Sequence, residues 1–232
     1  GRQENGSDAG YLKDANGLPT LAGSGIAGML RHAMGHNDEV TRSLFGHPGT
    51  ASEEDSGQGS RLNITFGYLH DSKNNPVCGL VDDERLSDPV LRAALTPTLR
   101  DHVRIGPQGT AWKEQAGNGY RGGKFDELVV CPGHRFTFEI ELIGYEADLP
   151  AWQQLLGLLQ DPLRRLGGRG RRGFGRFRIE RLATRIFDER LDRDWEDWLE
   201  LDPDLSERTY GEGWDFNHQA ATASPSHAYT VS

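Results

Sequence analysis

Two periods run through the hydrophobic positions of this chain. Between Leu21 and Met34, the apolar residues Ile26, Met29, Leu30 and Ala33 recur at helical spacing, with Ser24 placed as an N-cap. From Trp152 to Leu166, Leu155, Leu156, Leu158, Leu159, Leu163 and Leu166 form a wide helical face. Between these two helices the period falls to two. Arg61–His70 (RLNITFGYLH) alternates Leu62, Ile64, Phe66 and Tyr68 or Leu69, and His134–Ile143 (HRFTFEIELI) alternates cleanly, so both are expected as strands. Leu99–Cys131 has strand-like ends, LRDHVRI and FDELVVC, around a glycine-rich polar middle, which predicts a long projecting hairpin. Phe174–Arg181 (FGRFRIER) alternates again as a returning strand.

The order is therefore helix, strand, hairpin, strand, helix, strand. Preceded by one more strand, this is the βαββαβ order of a ferredoxin-like (RRM-type) α+β fold. No strand pattern precedes Ser24, since Gly1–Asn16 is polar and glycine-containing and Gly17-Leu18-Pro19 marks a turn. The first strand is thus expected from outside this sequence, lost by truncation or splicing or supplied by another part of a longer polypeptide. Thr50–Gly59 (TASEEDSGQG) reads as a flexible acidic insert. The domain spans residues 1–186, with the hairpin inserted at about 99–131, and residues 187–232 form an acidic C-terminal extension or linker. Within that extension Asp192–Leu201 is a short amphipathic helix, and little order is expected from Thr209 onward.

Charge changes this picture. The formal net charge is −9, yet twelve acids and three arginines lie in Phe187–Asp215, so the remainder is balanced. Inside the balanced part, Asp161–Arg185 carries nine arginines against Asp161 and Glu180. A polyanion responds to such a local patch more than to the total. No apolar run reaches membrane-spanning length, and the N-terminus has no signal-peptide pattern. Cys78 and Cys131 stand alone, with no metal-ligand spacing, so no structural metal is expected and a cytoplasmic protein is.

The arginines concentrate in Gly167-Gly168-Arg169-Gly170-Arg171-Arg172-Gly173-Phe174-Gly175-Arg176-Phe177-Arg178. Glycines let a backbone approach an anion and turn its N–H groups toward it. Arg169, Arg171, Arg172 and Arg176 supply bidentate phosphate contacts, and Phe174 or Phe177 can stack on a base. A second segment, Pro19–Arg31, places Gly25 and Gly28 at a helix start with Ser24 as cap and ligand and Arg31 projecting. Small residues there equally serve close helix–sheet packing.

These two motifs, in this order, resemble the RAMP superfamily of CRISPR-associated proteins. That family's pattern has a proline, a short glycine–serine segment and an arginine opening the first helix, and a glycine-rich loop after the second. Leu18–Arg31 and Leu166–Phe177 match those places. Gly59-Ser60-Arg61 leading into a strand, and Arg100–Val130 with Pro132-Gly133 after it, are similar to the backbone subunits of type III effector complexes and their thumb. The resemblance covers roughly Ser7–Arg181. It implies a subunit, or one module of a fused polypeptide, that grips CRISPR guide RNA, positions complementary target RNA and assembles with other RAMP subunits. His102 and Arg104, at the root of the thumb, become RNA contacts. In catalytic members an aspartate before the glycine–serine segment supports target cleavage with Mg²⁺ or another divalent cation. Asp8–Pro19 (DAGYLKDANGLP) fits that stretch, placing Asp8 at the catalytic position and Lys13-Asp14 at a basic–acidic pair.

Alternatives stand beside this reading. A scaffold would bind RNA without cutting it. A guide-precursor nuclease would use histidines such as His32 and His36, spaced i, i+4. A generic RRM-like module would need exposed aromatics on its strands, and Phe136 and Phe138 alternate with polar residues as core positions do.

Overall fold

The computed structural model describes residues 10–35, 38–49, 56–116, 119–168 and 170–216. Its helices are α1 (Gly23–Met34), α2 (Glu39–Phe45), α3 (Asp83–Leu86), α4 (Pro89–Leu95), α5 (Leu149–Gln160) and α6 (Asp192–Leu199). All strand pairs among the described residues are antiparallel and two-stranded. Mixed α and antiparallel β structure thus appears as the pattern of periods requires, though no single four-stranded sheet is assembled among these residues. No helix there is long and apolar enough to cross a membrane.

The chain divides into two compact units. The first comprises the segment up to Leu21 together with Gly67–Thr137. Its core is Leu18, Leu69, Val77, Leu91 and Ala94, with Val81, Leu86, Leu95 and Phe136 packed against them. Tyr68–Leu69 pairs with Phe136–Thr137. Aspartates begin both helices: the Asp82 carboxylate accepts from the Arg85 N–H, and Asp88 accepts from the N–H groups of Val90 and Leu91 just beyond Pro89. The expected hairpin is present as Thr98–Val103 against Lys124–Val129, with Lys113–Ala116 and Gly119–Gly122 forming a second hairpin beyond it. Gly17-Leu18-Pro19 is a turn, with Gly17 at φ 82° and the Asp14 carboxylate accepting from the N–H groups of Asn16 and Leu18.

In the second unit, Ala22–Phe66 with Phe138 onward, α1 packs against α5, α2 and the Leu62–Ile64 strand. Ile26 and Leu30 of α1 are buried, as are Ala151, Leu155, Leu156 and Leu159 of α5. Leu62–Ile64 pairs with Ile140–Leu142. Arg61 ties this layer down: Nη1 and Nη2 donate to Asp148 Oδ2 and Oδ1 at 2.7 and 3.0 Å, and Nη2 also reaches Ser43 Oγ at 2.8 Å. The hydrogen bond from Arg61 holds the Asp148 carboxyl below its ordinary range and raises the guanidinium in turn.

Several boundaries differ from expectation. Helix α1 begins at Gly23 with Ala22 as N-cap, and no side chain caps it, so Ser24 lies inside the helix. Close packing sets that start: a Cβ on Gly23 would sit 2.1 Å from the Ile64 carbonyl oxygen. Helix α5 ends at Gln160 because Pro162 disfavours a helical Asp161, which leaves Leu163 77% exposed rather than on a helix face. Arg61–His70 and His134–Ile143 form short strands rather than continuous ones. Phe174–Arg181 makes one isolated bridge, Arg165 to Arg176, instead of a strand. Order also extends past Thr209: Asp215–Phe216 pairs with Ala183–Thr184, and Tyr210 meets Trp214 edge-on at 4.9 Å. Residues 217–232 lie outside the described set.

Candidate nucleic-acid interface

The second unit carries a groove of about 430 Å³ between α1 and the strand region at Ser60–Ile64. Ser24, Ala27, Gly28 and Arg31 line it from the helix, spaced so that they share one face. Ser60, Asn63 and Ile64 line the other side. Gly28 meets nothing within 4 Å of an added Cβ, so its missing side chain is groove volume, whereas Gly23 is glycine for contact with the strand. Close helix–strand packing, one of the two roles weighed for small residues here, is thus filled by Gly23.

Arg31 gives the groove its chemistry. Its Nε is buried and finds no hydrogen-bond partner among the described residues. A buried charged donor left unpaired costs on the order of 1–3 kcal/mol or more, so a phosphate oxygen arriving in the groove would recover that cost. The exposed Ser24 hydroxyl is available to the same anion.

The glycine-rich loop belongs to the same unit. It closes like a hairpin: Leu166 N–H donates to the Gly175 carbonyl at 2.9 Å, and Arg165 bridges Arg176. At its tip Gly170–Arg172 forms a 3₁₀ turn, with Gly173 N–H donating to the Gly170 carbonyl at 3.0 Å. Gly167, Gly173 and Gly175 adopt φ of 78°, 87° and 75°. Left-handed backbone at Gly167, Gly173 and Gly175 explains why glycine stands at those three positions. Arg172 and Arg176 are exposed. Phe174 is half-buried. Flanking arginines are already used: Arg164 pairs with Asp161 at 2.9 Å, Arg165 donates to the Pro162 and Arg164 carbonyls, and Arg178 pairs with Glu180. Arg169 and the Arg171 side chain lie outside the described structure.

In the first unit, His102 and Arg104 stand on the hairpin as expected. The ring of His102 lies with Nε2 3.6 Å from Oε2 of the buried Glu127. Arg104 sits past the strand end, where its guanidinium stacks on the Trp112 ring at 4.3 Å. Gly123 permits this junction, since a Cβ there would meet Arg104 Cβ at 2.9 Å. Ser60 stood in the Gly59-Ser60-Arg61 motif, whereas Trp112 and Asn63 were not singled out from sequence.

Asp8 lies outside the described residues, as does His36. Asp14 of the basic–acidic pair is a turn-forming residue, through the two amide contacts above. Among the described residues no group of three or more His, Cys, Asp or Glu is arranged to hold a metal ion.

The model of the RAMP superfamily matches residues 1–178. The chain belongs to the RAMP superfamily. The match contains the α1 groove, the thumb-like hairpin and the arginine–glycine loop of this RAMP chain. Among solved structures, a chain of a type IV-B CRISPR complex is similar, at 16% identity and a TM-score of 0.45, covering 80% of this chain and 83% of that one. None of the curated proteins compared matches the sequence.

Proposed function

We propose that this RAMP chain is an RNA-binding subunit, or a module of a fused polypeptide, in a type III CRISPR effector complex, with a ferredoxin-like framework completed by other RAMP elements. Guide RNA is held by the α1 groove and the arginine–glycine loop. The observation that carries this reading is the buried, unpartnered Nε of Arg31 in a groove widened by Gly28, within the unit that also presents the loop. Phosphate supplies the missing acceptor, and the loop adds charge-assisted contacts from Arg172 and Arg176. The hairpin, with Arg104 stacked on Trp112, meets the guide–target duplex.

Target RNA is cut near Asp8 in this proposal. The segment ahead of the glycine–serine motif would bring the Asp8 carboxylate beside a phosphate. The adjacent 2′-OH would attack phosphorus, lose its proton and expel the 5′-oxygen, which takes up a proton, and a bound Mg²⁺ or similar cation would stabilise the charge that develops. The test is binding of single-stranded guide RNA to the wild-type chain and to Arg31→Ala. A loss of tenfold or more for the variant, with its thermal unfolding unchanged, is expected. Equal affinity of the two proteins refutes the groove as the RNA site.

A further inference from the structure

The acidic segment carries a surface of a different kind from the arginine–glycine loop. On α6, Leu191, Trp195, Trp198 and Leu199 fall on one side of the helix and are exposed, between 38% and 60%. Trp195 and Trp198 stack at 5.1 Å, and Trp198 Nε1 donates to Glu141 Oε1 at 3.3 Å, so the pair is held as a platform. Asp192 and Glu196 border it at i, i+4 spacing. An exposed apolar stripe of this size with an acidic margin is the composition of an interface.

The same segment shows which chemistry it accommodates. Arg185 is held by Asp197 and by Asp194 while lying over the Phe187 ring at 4.6 Å. Arg181 lies over the Phe216 and Tyr210 rings at 4.6 and 5.4 Å. Arg208 is nine-tenths buried against Glu139. Arginine on carboxylate and aromatic surface is thus how this segment packs within its own chain. A matching segment exists in the same sequence: Arg172 and Arg176 are exposed on the arginine–glycine loop, and Leu163 before it is 77% exposed.

We propose that the Leu191–Trp195–Trp198–Leu199 face is an interface between copies of this chain, docking the arginine–glycine loop of a second copy. Charge complementarity between the two segments selects the partner, and the stacked tryptophans supply the apolar surface that guanidinium groups cover. It rests on the RNA-binding reading in one respect: RNA on the loop competes with the second copy.

Sedimentation of the RNA-free full chain tests this. Low salt should give concentration-dependent association that high salt reverses. Trp195→Ala should weaken association at least tenfold with helicity unchanged. Because removal of a stacked ring can unsettle α6, a charge exchange at exposed positions gives an independent test. A chain with Asp192→Lys and Glu196→Lys, and a second with Arg172→Glu and Arg176→Glu, should each fail to self-associate, yet bind each other when mixed. A wild-type chain that stays monomeric at low salt overturns the proposal. So does association that survives Asp192→Lys/Glu196→Lys, or a mixture that stays monomeric. Association of the wild type with a foreign arginine-rich peptide but not with itself overturns the choice of a second copy. RNA binding is measured on the same proteins: Asp192→Lys/Glu196→Lys should bind RNA at least as well as wild type. If wild type self-associates but binds no RNA, the RNA reading fails alone.

Discussion

Three glycine-to-alanine substitutions in the arginine–glycine loop should affect RNA binding in a fixed order. At Gly175, φ is 75° and a Cβ would lie 2.0 Å from the Leu166 carbonyl oxygen. That oxygen is backbone, so no side chain can move aside, and the loop must open at its neck. Opening forfeits the Leu166 N–H to Gly175 carbonyl bond, about 0.5–1.5 kcal/mol. Holding alanine in left-handed backbone instead costs roughly 1–2 kcal/mol. The left-handed strain and the carbonyl clash both disfavour the closed loop, by about 2 kcal/mol or more, roughly 30-fold in population. Affinity falls in proportion to the competent fraction. At Gly173, φ is 87° but nothing lies within 4 Å of a Cβ, so only the backbone term of about 1 kcal/mol applies, near fivefold. Gly168 has open space and no positive φ, so alanine there should stay within about twofold. Fluorescence anisotropy with a labelled single-stranded RNA at one fixed salt concentration reads all three. If Gly175→Ala binds as tightly as Gly168→Ala, the loop does not need its closed form, and the argument from glycine geometry is wrong.

Other outcomes follow from the remaining geometry. In an assembled complex with guide RNA and Mg²⁺, Asp8→Ala should retain target binding and lose one specific cut, as seen on end-labelled RNA; an unchanged pattern makes the chain a scaffold. Arg172→Ala with Arg176→Ala should lower the slope of log affinity against log salt by about 1.4, from two phosphate contacts at ~0.7 each on single strands. Asp148→Asn should cost about 1–2 kcal/mol in denaturant unfolding, since the amide leaves Arg61 one acceptor in place of a bidentate ion pair. The Asp148 carboxyl is depressed in the folded chain, so that difference is complete above its ordinary 3.8 and disappears as acid protonates the wild-type carboxyl below it. Burial lowers the His134 pKa from 6.5, so the unfolded chain takes a proton that the folded chain resists. Stability should therefore decline as pH falls through 6.5, and His134→Gln should flatten that part of a Tm–pH profile.

Elements written in one strong local pattern were legible in the sequence. The α1 and α5 faces and the hairpin at Thr98–Val129 follow from helical spacing and from alternation around a polar middle. What failed depended on partners distant in sequence. Phe174–Arg181 has the alternation of a strand, but a strand exists only where a neighbour accepts its hydrogen bonds, and among the described residues none does beyond Arg165. The order after Thr209 was hidden for the opposite reason. Tyr210, Trp214 and Phe216 sit among polar residues without period, and they gain structure from Arg181, Phe187 and the Ala183–Thr184 strand.

The site shows the same division between composition and geometry. A loop of alternating glycines and arginines announces an anion, but it does not say which glycines bend the chain and which merely leave space. Gly175 closes the neck against Leu166, Gly23 seats α1 on the strand, and Gly28 is empty volume beside Arg31. The arginines divide likewise: Arg164, Arg165 and Arg178 are engaged by neighbouring carboxylates and carbonyls, while Arg176 is exposed. Where the basic stretch meets the acidic segment, charge is already matched: Arg185 engages Asp194 and Asp197, and Arg190 engages Asp188. The cationic surface is therefore narrower than the nine arginines of Asp161–Arg185 would suggest from composition.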